Sequence, residues 1–215
     1  GNFRKMTFHT KVVLTTTAVL LFGGAALLQI TDHLDFMTAF FQSMTARTAG
    51  FSTVDLSGLS SAGLLVIMVL MFVGASPGST GGGIKTSTFF VLLQGIKSAA
   101  TNKSEKAFRY AVPAESFRKA AVITLLALCV VIVGTYLMLI FDPQVTSMQA
   151  LFEVVSAFGT VGLSTGITAG LSDASKLLSI LIMYIGRLGP LTIASMWYFS
   201  HGERTRFPDG NLAIG

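Results

Sequence analysis

Apolar residues run along this chain in long blocks, and the polar residues that divide them fall at spacings that predict helices and their break points. The first block, 12–30, is interrupted only by Thr, Gly and Gln, and as a helix it would span about 28 Å, close to one hydrocarbon core. Thr31, Asp32, His33 and Asp35 then read as a helix start, opening a half-polar segment to Ala46 that reaches only about 18 Å. A segment that short is expected to be re-entrant rather than spanning. A second block, 60–73, dissolves at 74–83 and resumes at 86–96. As one helix, 60–97 would be about 57 Å long, nearly twice a membrane core, and Pro77 with so many glycines cannot sustain it. The helix must therefore break at membrane depth, where irregular backbone is tolerated only against protein or water.

The same order then returns. A span at 120–141 is followed by a turn at Asp142 and Pro143, a short helix at 147–157, a loop, a span at 176–199 and a polar tail at 201–215. No alternating strand pattern competes, so the expected fold class is an all-α membrane protein. The return extends to residues. Thr48-Ala49-Gly50-Phe51-Ser52-Thr53 reappears as Thr160-Val161-Gly162-Leu163-Ser164-Thr165 at an offset of 112, and Phe40 and Phe152 obey the same offset. The chain thus reads as two repeats of transmembrane helix, re-entrant pore helix, filter loop and transmembrane helix. Expected boundaries are a first pore repeat at 1–97 with a broken second helix and gating loop, a cytoplasmic connection at 98–119, a second pore repeat at 120–200, and a cytoplasmic tail at 201–215.

Composition agrees with the membrane class: 52% of residues are apolar, only 12% are charged, and mean hydropathy is +0.70. The net charge of +5 does not point to nucleic acid, because the basic residues lie between apolar blocks rather than on one polar domain. Most fall at the start, in 97–119 and in the tail, whereas the two re-entrant sides carry only Arg47 and Lys176. The positive-inside rule then puts the re-entrant loops outside and the connection and termini in the cytoplasm of a multi-pass cell-membrane protein. Asp32, Asp35, Asp55, Asp142, Glu153 and Asp173 all fall on the outer side, either drawing cations to a mouth or serving as ordinary solvated acids. Cys129, the one cysteine, reads as a buried structural thiol within an apolar run. There is no cleavable signal pattern, and the chain opens with Gly1, as a processed or partial chain would.

The repeated loop carries the chemistry. The first four residues of its second copy, Thr160-Val161-Gly162-Leu163, differ by one aromatic from the start of the Thr-Val-Gly-Tyr-Gly loop whose backbone carbonyls replace water around potassium. The expected ion-binding carbonyls belong to Thr48, Ala49, Gly50 and Phe51 and to Thr160, Val161, Gly162 and Leu163. Gly50 and Gly162 suit this role because a residue without Cβ can turn consecutive carbonyls to one side. Two enzyme motifs cross the broken helix. Gly78 to Gly83 followed by Lys85 and Thr86 resembles a phosphate-binding loop, but Ile84 separates the glycine from the lysine. Gly74-Ala75-Ser76-Pro77-Gly78 matches the nucleophile turn of serine hydrolases, and Ser76 in an intramembrane hydrolase is the rival from another class. Its histidine partner is missing at that depth, since His9 and His33 flank the first span and His201 follows the last.

Taken together, the repeated loops, the stretch from Gly74 to Thr86 and Ile185-Gly186-Arg187-Leu188-Gly189-Pro190-Leu191-Thr192 resemble the Trk/Ktr/HKT superfamily of potassium transporters, nearest to its Ktr-type membrane subunits. The resemblance covers essentially the whole chain. It implies potassium uptake, not an enzyme, with potassium itself at the filter carbonyls and no cofactor bound by this chain; a sodium-conducting relative is the alternative. It also implies that Gly74, Ala75, Ser76, Pro77, Gly78, Ser79, Thr80, Gly81, Gly82, Gly83 and Lys85 form a gate below the filter, with Arg187 tuning pore electrostatics. For Arg187, simple pairing with Glu153 or with carbonyl groups is the competing reading, because an unpaired charge costs about 2.5 to 3.5 kcal/mol in a span. Members of the superfamily carry four such units around one pore, and this sequence matches the last two. The first two pore repeats are then expected in a missing or separate half, with a dimer of pore subunits and a cytosolic nucleotide-binding regulatory ring as further partners.

Overall fold

The structure is a computed structural model that describes residues 6–101, 106–107, 110–111, 113–189 and 192. Among the described residues seven α-helices carry the fold: α1 (Phe8–Asp32), α2 (Phe36–Thr45), α3 (Ser61–Phe72), α4 (Thr86–Thr101), α5 (Ala114–Phe141), α6 (Ser147–Gly159) and α7 (Asp173–Leu188). The class is all-α, and α1 and α5 are long and apolar enough to cross a membrane. One antiparallel pair of two-residue strands, β1 (Lys106–Ala107) and β2 (Tyr110–Ala111), lies in the polar connection, where no strand was expected.

Several boundaries differ from the hydropathy pattern for local reasons. Helix α5 begins at Ala114, not 120, because Pro113 supplies an extended start, Glu115 sits in the first turn, and Lys119 pairs with Glu115 one turn on at 2.7 Å. Polar residues extend that helix beyond the apolar block. Helix α7 begins at Asp173, not 176, capped by the Ser172 side chain on the Ser175 N–H. It stops at Leu188, so 176–199 is not one helix: Gly189 leaves helical geometry at φ 88°, ψ 134°, a positive φ open to glycine with the extended ψ that a following proline favours. Residues 190, 191 and 193–200 and the tail 201–215 lie outside the described residues.

The two units are related by two offsets. From the loops onward it is 112: a short 3-10 turn at Leu56–Gly58 matches one at Thr168–Gly170, and the helix caps Ser60 and Ser172 match. In the short helices it is 111, because their caps are Asp35 and Thr146 and their fully buried alanines are Ala39 and Ala150. One extra residue therefore precedes the second loop. This corrects the match of Phe40 with Phe152: the structural counterpart of Phe152 is Phe41, and Phe40 instead packs near Phe22 and Phe36.

Helix α3 packs on α6 and α4 on α5, which joins the units. Ile67, Met71, Phe152 and Phe158 are fully buried in that seam, and the Phe72 and Phe158 rings stack at 5.9 Å. Outward faces are apolar instead, with Val19, Ile132, Tyr136 and Leu177 exposed. Such a surface suits contact with lipid or with further helices, where association rests on close packing rather than on escape from water. Gly186 shows the consequence, since a Cβ there would strike the Phe158 backbone carbonyl.

At the end opposite the connection, an acid joins the two long elements of each unit. Asp32, closing α1, accepts the Ser60 N–H at 2.6 Å, and Asp142, closing α5, accepts the Ser172 N–H at 3.1 Å and its hydroxyl at 2.9 Å. These two acids, expected among the mouth or solvated groups, are structural latches. The Ser175 hydroxyl nearby, then the Ser172 hydroxyl and N–H and the Gln144 amide, hold the Asp142 carboxyl below its ordinary value of 3.8, against the opposing effect of burial.

Two outcomes are expected in detergent melting experiments. Gly186→Leu should lower the melting temperature sharply, at a cost of about 1–3 kcal/mol for overpacking. Asp142→Asn should destabilise the protein at neutral pH, and the gap from wild type should close as pH falls through the depressed native value, where the wild-type carboxylate is itself protonated.

Candidate functional site

The two repeated loops follow directly from the ends of α2 and α6. Each begins with a threonine in left-handed backbone, Thr48 at φ 75° and Thr160 at φ 50°, and each has a glycine two residues later at positive φ, Gly50 at 81° and Gly162 at 95°. Non-glycine residues rarely occupy that region, so its recurrence at one offset marks two loops under the same constraint. The residues between, Ala49 and Val161, have ordinary negative φ. The loops also meet, because a Cβ on Gly50 would strike the Val161 carbonyl oxygen.

Short polar contacts hold each loop from behind. In the first unit the Thr45 hydroxyl accepts the Phe51 N–H at 2.8 Å, and the Gln42 amide donates to Ser52 and Thr53 at 3.1 and 3.2 Å. In the second unit Glu153 occupies the place of Gln42 and accepts from the Ser164 hydroxyl, the Thr165 N–H and the Thr168 hydroxyl at 2.6, 3.0 and 2.9 Å. None of the eight carbonyls of 48–51 and 160–163 accepts a hydrogen bond among the described residues. The units differ at the fourth position, since Phe51 is 72% exposed and Leu163 only 3%.

The interruption between α3 and α4 lies where the glycines predicted it. Residues 74–85 form a closed loop whose base is strapped by Gly74 N–H to Ile84 C=O at 2.9 Å and Ile84 N–H to Phe72 C=O at 3.1 Å. At its tip Ser79 N–H bonds the Ser76 carbonyl across Pro77 and Gly78, whose φ is 82°. The far limb touches both repeated loops. Gly82 N–H donates to the Thr160 hydroxyl at 2.9 Å, and a Cβ on Gly81 would lie 3.0 Å from the Thr48 hydroxyl.

Cations gather around this loop. The Lys85 ammonium donates to the Gly81 carbonyl, and Arg187, exposed on the last turn of α7, is within electrostatic reach of Lys85. Arg187 does not pair with Glu153, whose oxygens are taken by hydroxyls and an amide. Arg47 was counted among residues on the outer side, but its guanidinium reaches inward to the Gly74 carbonyl at 3.4 Å. Sequence reading missed this contact, and its only signal was a charge directly before the first loop.

Two short helices that are too short to span, each leading into a constrained loop between longer helices, define a duplicated re-entrant-loop membrane protein. The model of the TrkH family, described as cation transport protein, matches residues 4–200, and the chain belongs to this Trk/Ktr family. It is 34% identical over its whole length to the Ktr system potassium uptake protein B of Bacillus subtilis, covering 51% of that protein. It is 38% identical over 88% of its length to the potassium/sodium uptake protein NtpJ of Enterococcus hirae, covering 46% of it. In fold it is similar to the potassium transporter TrkH from Vibrio parahaemolyticus, with a TM-score of 0.71 at 20% identity, over 89% of this chain and 44% of that one. The chain thus spans about half the length of the curated relatives it matches. Its family is one of transporters, not enzymes, so the hydrolase reading of Ser76 falls; that serine caps a turn through its carbonyl.

The contact between the loops is testable. Thr160→Val leaves the Gly82 N–H without its acceptor and should cost about 1–3 kcal/mol of stability, whereas Thr160→Ser should cost much less. Melting of both variants in detergent measures the difference.

Proposed function

We propose that this chain forms half of a potassium uptake pore, in which the carbonyls of 48–51 and 160–163 line a selectivity filter. The observation that carries the reading is the set of eight loop carbonyls unclaimed by any described donor, on backbone that alternates in the sign of φ. Elsewhere at membrane depth a free carbonyl is costly, and a partly dehydrated cation is the partner that would satisfy it. Gly50 and Gly162 act through geometry, and the fourth positions, Phe51 and Leu163, close the two loops unequally. Two loops cannot ring an ion, so two more, from a further segment or another chain, complete the filter. That proportion agrees with a chain covering about half of its relatives.

In the same reading the 74–85 loop is the gate below the filter, against Thr48 and Thr160. Lys85, Arg187 and the inward-turned Arg47 supply positive charge there, so an ion leaving the filter meets a repulsive field. The membrane potential drives entry, at about 2.3 kcal/mol per charge per 100 mV, without nucleotide hydrolysis in this chain. The re-entrant loops face outside, and the 98–119 connection faces the cytoplasm. A pore-subunit dimer and a nucleotide-binding cytosolic ring complete the proposed assembly. Sodium is the second reading, favoured by the likeness to a protein named for potassium and sodium uptake.

Rubidium and sodium flux through vesicles carrying the assembly tests this. Gly162→Asp is expected to abolish rubidium flux while the protein still folds, with Cys129→Ser as the unaffected control, since that thiol is not buried as expected but exposed on the outward apolar face of α5. Wild-type flux in Gly162→Asp overturns the filter assignment. Sodium flux equal to rubidium flux in the wild type replaces potassium selectivity with the second reading.

A further inference from the structure

The charge at Glu153, behind the second candidate loop, has no counterpart in the first unit. Glu153 projects from the middle of α6 and is only 7% exposed. Its Oε1 accepts from the Ser164 hydroxyl at 2.6 Å, the Thr165 N–H at 3.0 Å and the Thr165 hydroxyl at 3.5 Å, and its Oε2 accepts from the Thr168 hydroxyl at 2.9 Å. The Thr165 N–H can only donate, which requires an acceptor oxygen at that position. At the matching place in the first unit stands Gln42, whose amide donates to Ser52 and Thr53 and whose Oε1 is left without a partner. The two side chains brace equivalent residues, and only one is an acid.

No cation neutralises it among the described residues, where the one ion pair is Lys119 with Glu115. The positive groups nearest the loops, Arg47 and Lys85, are directed instead to the carbonyls of Gly74 and Gly81. A cavity of about 300 Å³ runs beside Glu153, bordered by Thr160, Gly162, Ser164 and Met183. The carboxylate and the backbone of the second loop therefore border the same space. In a poorly screened setting, a fixed anion raises the local concentration of cations and deepens their binding.

We propose that Glu153 is a positioning and affinity-setting residue for the permeant cation: it braces the second loop through its oxygens and tightens monovalent-cation binding through its charge. Gln42 performs the first task in its own unit without the second, which makes the first unit an internal reference. The inference rests on the filter reading of 160–163, and the experiment separates the two.

Rubidium uptake is measured against external rubidium concentration in vesicles carrying the whole assembly, for wild type, Glu153→Gln, Glu153→Ala, Gln42→Glu and Gly162→Asp. Glu153→Gln can keep its bonds, with the amide oxygen accepting the Thr165 N–H and the amide nitrogen donating to Thr168. It should raise the half-saturating concentration about tenfold, the lower end of such field effects, and leave the maximal rate within about twofold. Glu153→Ala, which removes the brace as well, should lose maximal rate. Gln42→Glu, which adds an anion to the first unit, should lower the half-saturating concentration. Unchanged half-saturation in Glu153→Gln, or a fall in maximal rate alone that matches Glu153→Ala, overturns the proposal and leaves a purely structural acid. If Glu153→Gln fails to assemble, Gln42→Glu decides: tighter half-saturation supports the role of charge, and an unchanged value overturns it. Gly162→Asp keeps the two readings apart, because a dead Gly162→Asp with unaltered Glu153→Gln removes only this inference. Normal uptake in Gly162→Asp removes the filter on which it rests.

Discussion

Lipid offers no hydrogen-bond partner, and that constraint governs every irregular segment of this fold. Where α3 stops at Phe72, the backbone does not simply fray. It is strapped at Gly74 and Ile84, turned at Ser76 and Ser79, and tied to the second repeated loop through Gly82 and Thr160. The glycine-rich stretch between α3 and α4 thus finds several of its partners within the protein. The carbonyls of 48–51 and 160–163, by comparison, accept no hydrogen bond among the described residues.

The same constraint makes the three loops one unit. The 74–85 loop is tied at its base, at the contact of its Gly74 carbonyl with Arg47, and at its bond to Thr160. Thr160 is also the first residue of a repeated loop and is held in left-handed backbone. Its hydroxyl and its carbonyl thus belong to two different structures, so the position of one bears on the other. Close packing beneath them, with Gly186 against Phe158 and the stacked Phe72 and Phe158, leaves little room for either to shift alone.

Duplication set the plan, but the two units differ in structure. The first has a broken second helix and braces its loop with the neutral Gln42. The second carries α7 to Leu188, adds one residue before its loop, and uses the acid Glu153. Conserved between them are the parts that geometry demands: threonine and glycine at positive φ, a short capped helix, and an acid latching one long helix to the serine that starts the next.

Much of this was legible from the chain alone, for a physical reason. Bilayer thickness converts a run of apolar residues into a helix length, glycine and proline forbid helix at 74–83, and a repeated Thr-x-Gly identifies paired loops whatever surrounds them. Those are local rules, and they located seven helical segments, the break and the candidate loops. What they could not reach depends on partners distant in sequence. Asp32 and Asp142 resemble mouth acids until Ser60 and Ser172 are placed beside them, and Arg47 resembles an outer charge until Gly74 lies beneath it. Phe40 matches Phe152 by count, but the extra residue before Thr160 can be assigned only when the caps Asp35 and Thr146 are seen. Charge and spacing are properties of the chain; which oxygen meets which donor is decided by tertiary packing, because only packing brings together groups that sequence holds 27 to 78 residues apart.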